Sequence, residues 1–308
     1  MDPDRRFGLL MAGTTALLWG FLAIALKVAV ADVDVPTIVW FRFTFAFTAL
    51  ALIVGRRRPG RLAILKRPPP LAVLAGACLL TNYLGFISAV DRTTPSNAQV
   101  LIQVAPLLLA GLGVVCFGER LARAQLIGVA LAVGGFALFH SDQLGRLLGA
   151  TERYREGNLM VLGAAVAWAG YAVLQKLLSR RGHAPQDLNL VFYALPALVL
   201  LPVVRFEQLA ALTPGGWVLM VFLGLNTLVA YGALGEALKR LPAHEVSLVI
   251  TLNPLITLVT MAILGALEVT WIAPDRVGPV GWIAALAVVS GVIQVLRHRH
   301  PATAAHKP

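Results

Sequence analysis

The side chains with the greatest chemical capacity lie inside the most apolar stretches of this sequence. Trp19, Asn82, Tyr83, Pro106, Trp168, Tyr171, Asn226, Thr227, Tyr231, Asn253 and Pro254 all fall near the centres of apolar runs of about twenty residues. Indole and phenol rings can enclose a solute, and amides supply directional hydrogen bonds. In hydrocarbon such groups need a protein partner or a water-filled cavity, so each is either interhelical glue or part of a site. Gln99 and Gln103, one helical turn apart, could line an entrance near Asn97. The candidate solute-binding set is therefore Trp19, Trp168, Tyr171, Asn82, Tyr83, Asn226, Tyr231, Gln99, Gln103 and Arg42.

Arg42 is the base hardest to place. About two turns inside an apolar run, it could meet a carbonyl, a rim carboxylate such as Asp32, Asp34 or Asp91, or the carboxylate of a solute. Lys27 and Lys176 lie nearer the ends of their runs, where a long side chain snorkels to water. The candidate gating set is Pro106, Pro254, Glu236 and Glu245. The prolines remove a backbone hydrogen bond and kink their helices, whereas Glu236, His244 and Glu245 cluster at one polar junction where they could titrate or simply cap. No Asp or Glu lies near a run centre, since Glu119, Glu236, Glu245 and Glu268 all sit near the ends, which disfavours a proton-coupled exporter of cations.

The elements holding these residues are set by composition. The 308 residues are 58% hydrophobic and 13% charged, and the mean hydropathy is +0.78, which excludes a water-soluble fold. The net charge of +11 resides in short connectors, so it reads as membrane topology and not as a nucleic-acid footprint. Cys78 and Cys116 fall inside apolar runs and read as small core residues. There is no Walker A loop, HExxH or metal-spaced Cys/His set, so neither enzyme activity nor a cofactor is expected.

Ten spans fit, at about 7–30, 36–55, 71–90, 96–117, 122–140, 158–178, 186–204, 216–238, 243–265 and 279–296. The first is too long for the apolar core of a signal peptide. With the N-terminus cytoplasmic, seventeen Lys and Arg fall in inside segments and six outside, so both termini are expected in the cytoplasm. The tail carrying Arg297, His298, Arg299 and His300 would then meet anionic lipid.

A shift of 149 superimposes Gly8 on Gly157, Met11 on Met160, Trp19 on Trp168, Lys27 on Lys176 and Pro36 on Pro185, and a shift of 148 pairs Pro106 with Pro254. With five spans per unit the copies enter the membrane in opposite senses, the plan of transporters whose site lies at the midplane between repeats. The expected fold class is thus an all-α membrane protein of ten transmembrane helices in two inverted five-helix repeats. Residues 1–140 form the first, 141–157 a periplasmic linker, 158–296 the second and 297–308 a basic tail.

Leu18-Trp19-Gly20, Phe41-Arg42-Phe43, Ala105-Pro106, Phe117-Gly118-Glu119-Arg120-Leu121, and Leu126-Ile127-Gly128 through Gly134-Gly135 resemble the EamA-type repeat of the drug/metabolite transporter superfamily. Ala167-Trp168-Ala169-Gly170 and Asn253-Pro254 carry it more loosely in the second half, where Leu267-Glu268 departs from the usual Gly-Glu pair. The resemblance implies a multi-pass bacterial inner-membrane exporter. The expected cargo is a small neutral or zwitterionic metabolite, such as an amino acid and among these an aromatic one. Efflux of hydrophobic drugs and a non-transporting scaffold are the alternatives. The expected partners are that solute, the lipid bilayer and a second copy docked through spans five and ten, which are aliphatic with Gly apart from Gln125, Ser290 and Gln294.

Overall fold

The computed structural model describes residues 3–117, 122–147, 152–241, 246, 249–275 and 277–297, and every regular element among them is helical. Among the described residues six helices are long and apolar enough to cross a membrane: α1 (Pro3–Ala29), α2 (Val35–Arg57), α3 (Pro70–Arg92), α7 (Glu152–Arg180), α8 (Pro185–Leu200, with a 3-10 turn to Val203) and α10 (Pro214–Arg240). The other helices are α4 (Pro95–Leu101), α5 (Val104–Phe117), α6 (Arg123–Leu147), α9 (Phe206–Ala210), α11 (Asn253–Ala266) and α12 (Pro279–Arg297). A helix satisfies its own backbone without water, which is what a chain this apolar must do. Gly118, Glu119, Arg120, Leu121, His244, Glu245, His298, Arg299 and His300 lie outside the described residues.

Proline marks most of the helix starts, where its missing N–H costs nothing. Asp34, Thr94 and Thr213 precede Pro-led helices, and their side chains accept the backbone N–H of Thr37, Asn97 and Gly216. Two helices outrun the expected spans: α6 continues to Leu147 and α7 already begins at Glu152, so much of 141–157 is helical.

The expected single span at 96–117 is broken. α4 ends at Leu101, Ile102 and Gln103 form a turn, and α5 resumes at Val104. Pro106 is the cause, because its ring clashes with the carbonyl four residues back, that of Ile102. That carbonyl accepts the N–H of Ala105 instead, in a tighter turn. Pro254 acts likewise at the start of α11, where Thr251 and Leu252 form a turn.

Packing is pairwise. α1 lies against α10 and α11, α3 against α7 and α8, α2 against α8 and α10, α5 against α7, and α6 against α12. Glycines let backbones approach at several of these crossings. A methyl on Gly291 would sit 2.5 Å from both Ala132 N and the Gly128 carbonyl, and one on Gly135 would sit 2.8 Å from Val288 N. Gly135 and Gly291 therefore serve contact between α6 and α12 within the chain, leaving outer faces such as Leu126, Ile127, Ile283 and Leu286 exposed.

Candidate functional site

The middle of α1 is a hub. Its three consecutive carbonyls at Leu18, Trp19 and Gly20 accept from Asn226 Nδ2 of α10 at 2.7 Å, Gln99 Nε2 of α4 at 3.1 Å and Thr257 Oγ1 of α11 at 2.6 Å. Asn82 Nδ2 of α3 donates to the Ala164 carbonyl of α7 at 2.9 Å. Gln103, in the turn between α4 and α5, donates from Nε2 to Asn253 Oδ1 at 3.1 Å, so the two proline-bearing breaks are tied to each other. Asn97 Nδ2 donates to Asn158 Oδ1 at 2.7 Å. The predicted amides are thus all buried, and the NH2 groups of Asn82, Asn97, Gln99, Gln103 and Asn226 each donate to another segment, as expected where no water competes.

The predicted aromatics divide. Trp19 meets Tyr231 edge-on at 5.5 Å, Tyr231 meets Tyr193 at 6.4 Å, Tyr193 meets Phe43 at 5.9 Å, and Phe43 meets Tyr83 at 4.5 Å between ring centres. Rings from α1, α10, α8, α2 and α3 form one continuous chain at the junction of the two halves. Tyr171 is buried beside it, edge-on to Phe192 at 5.3 Å, whereas Trp168 packs half-buried on the same core without a ring pairing among the described residues. Sequence reasoning missed Tyr193 and Phe43. Tyr193 lies near the centre of the run 186–204, so the depth rule that selected the other tyrosines would have found it.

Arg42 sits within this chain of rings, 1% exposed. Its Nε donates to Thr227 Oγ1 at 3.1 Å, its guanidinium carbon lies 4.8 Å from the Tyr83 ring centre, and its Nη2 meets no protein acceptor among the described residues. Of the rim carboxylates, Asp34 pairs with Arg205 at 3.1 Å and Asp91 with Arg153 at 3.0 Å, and Asp32 is exposed.

Lys27 does not snorkel. Its Nζ donates to the carbonyls of Val90, Asp91 and Thr93 at 2.9, 2.9 and 2.7 Å, capping the C-terminal end of α3. Neighbouring α3 offers closer acceptors than the water a snorkelling side chain seeks. Glu236 pairs with Arg240 one turn on, and Arg240 reaches Asp4 of α1 at 3.7 Å, tying α10 to α1.

A cavity of about 500 Å³ opens away from the ring chain, between α11, the segment after it and α12, lined by residues including Met261, Glu268, Ile272, Asp275 and Trp282. Among the described residues no three His, Cys, Asp or Glu converge as a metal site.

A family model, the EamA-like transporter family, matches residues 6–140 and 155–297. The chain is 34% identical over 303 residues to the uncharacterized inner membrane transporter YhbE of Escherichia coli K12, covering 97% of this chain and 94% of that one. It is 24% identical over 280 residues to a protein of the same organism described as a probable amino-acid metabolite efflux pump, covering 85% and 87%. It is 28% identical over 254 residues to a probable terminal-alkyne amino-acid exporter of Streptantibioticus cattleyicolor, covering 80% and 81%. One solved crystal structure shares the fold with a TM-score of 0.62 at 22% identity, covering 94% of this chain and 96% of the other.

Proposed function

Because the chain belongs to the EamA-like transporter family, and is accordingly a multi-pass inner-membrane transporter, we propose that it exports small neutral or zwitterionic metabolites, amino acids with an aromatic or apolar side chain foremost. The observation that carries this reading is the ring chain, to which both halves of the sequence contribute: Phe43, Tyr83 and Trp19 from one, Tyr193 and Tyr231 from the other. Such a junction is where two rocking units expose a site to each side in turn. The relatives described as amino-acid efflux proteins favour the same class of cargo.

The proposed architecture is ten spans in two inverted units. In its support, packing survives exchange of the halves: α1 lies on α10 as α7 lies on α3, and α10 on α2 as α3 on α8. Gly8 is closed over by Arg240 and Leu241 as Gly157 is by Arg92 and Thr93, and Gly224 abuts Phe45 as Gly76 abuts Leu195. Breaks at Pro106 and Pro254 give each unit a discontinuous span able to flex, and Gln103 with Asn253 latches the two breaks. The Glu236–Arg240–Asp4 chain is the proposed cytoplasmic tie, and Asp91–Arg153 with Arg92–Glu156 the periplasmic one. A homodimer would use the outer faces of α6 and α12.

The test is counterflow of radiolabelled amino acids in proteoliposomes. Wild-type protein is expected to exchange an aromatic or branched amino acid, and Trp19→Ala or Tyr231→Ala to slow exchange by about tenfold or more, the loss of an aromatic contact and the packing around it. Undiminished exchange in both variants would refute the ring chain as the site.

A further inference from the structure

We propose that Arg42, held between Thr227 and the Tyr83 ring, is the anchor for a carboxylate of the transported solute. This rests on the transport reading above and narrows its cargo: the solute must carry an anionic carboxylate beside an apolar or aromatic body, and the corresponding amides and amines are poor cargo.

The argument begins with cost. A guanidinium carries five N–H donors and stays charged in proteins. Arg42 is nonetheless among the most deeply buried side chains, 1% exposed, in a segment of α2 flanked by Phe41 and Phe43. Only Nε is hydrogen-bonded to a protein group, a single neutral hydroxyl, and Nη2 is buried without any protein acceptor among the described residues. Burying a charge so weakly compensated is expensive, and a purely structural role would be filled more cheaply by an apolar residue of similar volume.

The second step is elimination of internal counter-ions. Asp34 Oδ1 accepts the Thr37 N–H, and its Oδ2 pairs with Arg205. Asp91 is paired with Arg153 and Arg92, and Asp32 is exposed. No acidic side chain pairs with Arg42 among the described residues, and its guanidinium lies instead against the neutral Tyr83 ring. Nη2 therefore has its donors available within the buried ring cluster, on a planar fork that matches a carboxylate in two parallel hydrogen bonds.

The third step is the choice of anion. One guanidinium neutralises one charge. A phosphate ester, with nearly two, would call for a second cation, and the other embedded base of this half, Lys27, is committed to the C-terminal carbonyls of α3. The rings of Phe43, Tyr83, Tyr193 and Tyr231 form the cluster in which the fork is buried, suiting an apolar body attached to the carboxylate. In the conformation described here the rings close on one another, so the solute must part Tyr193 and Tyr231 from Phe43 and Tyr83, the motion expected as the halves rock.

The experiment compares L-phenylalanine with L-phenylalaninamide and phenyl phosphate on the full-length protein in lipid nanodiscs, reading binding by tryptophan fluorescence and by the thermal unfolding midpoint. Wild type is expected to bind the acid roughly tenfold to a hundredfold more tightly than the amide, as charged hydrogen bonds require. Arg42→Gln should abolish that preference, and Arg42→Lys, which keeps the charge but loses the fork, should retain part of it; Arg42→Lys also controls for folding of the variants. The proposal is overturned if Arg42→Gln keeps the preference for the acid, if phenyl phosphate is favoured over the acid, or if wild type binds neither acid nor amide. Counterflow separates the two levels. Acid-selective binding without exchange leaves the Arg42 assignment standing and removes the transport reading, whereas equal exchange by wild type and Arg42→Gln does the reverse.

Discussion

Gly134 and Gly135 are neighbours on α6, yet replacing each by alanine should move stability in opposite directions. A methyl on Gly134 meets no atom within 4 Å. The substitution removes only the backbone freedom that glycine brings to the unfolded chain, a gain of about 0.5–1 kcal/mol in an exposed helix interior. A methyl on Gly135 would lie 2.8 Å from Val288 N and 3.0 Å from the Ala284 carbonyl, both backbone atoms of α12. Carbon contacts are optimal near 3.5–4.0 Å, so the helices must part by roughly half an ångström or more. Overpacking of this kind costs about 1–3 kcal/mol, which outweighs the same backbone gain. At about 2–4 °C per kcal/mol, Gly134→Ala should raise the unfolding midpoint in nanodiscs by about 1–4 °C, and Gly135→Ala should lower it by up to about 8 °C. Gly291→Ala, whose methyl would sit 2.5 Å from two backbone atoms of α6, should be at least as harmful as Gly135→Ala. Equal shifts for Gly134→Ala and Gly135→Ala would show that the α6–α12 crossing is not the close contact described.

Asn82→Ala and Asn226→Ala each delete one hydrogen bond between helices, to Ala164 and Leu18. Each should cost about 0.6–1.7 kcal/mol in thermal unfolding, and a cost above about 3 kcal/mol would point to a wider network than these bonds. A cysteine placed at position 150 should react with a membrane-impermeant thiol reagent from the periplasmic side of intact cells, as the excess of Lys and Arg in the opposite segments requires; labelling solely from inside would invert the proposed topology.

The membrane character of the chain was legible because it is a bulk property: twenty-residue apolar runs and helix-starting prolines survive without knowledge of any neighbour. Hydropathy measures the thickness of the hydrocarbon, however, and not the length of a helix. α7 begins at Glu152, with Arg153, Arg155 and Glu156 in its first turns, because these residues favour a helix whether or not lipid surrounds it. The kinks at Pro106 and Pro254 were foreseeable from proline chemistry, but a full break in the turn before each depends on what receives the freed carbonyls. Directions were the least legible. Gln99, Gln103, Asn82 and Asn226 could have faced a cavity or a helix, and only the packing of other helices decides that their amide nitrogens meet carbonyls or Asn253. Lys27 turned on the same issue, since the end of α3 lies within reach of its Nζ.

The three donors gathered on Leu18, Trp19 and Gly20 restrict how the bundle can move. Successive helical residues are set about 100° apart around the axis, so three adjacent carbonyls span about 200° of the circumference of α1. α10, α4 and α11 each hold one of them. Any roll of α1 about its own axis carries at least one carbonyl away from its donor, and a slide along the axis strains all three. α1 is thus splined to its neighbours like a shaft in a keyed collar in the conformation described here, so rocking of the two proposed units has to release these bonds.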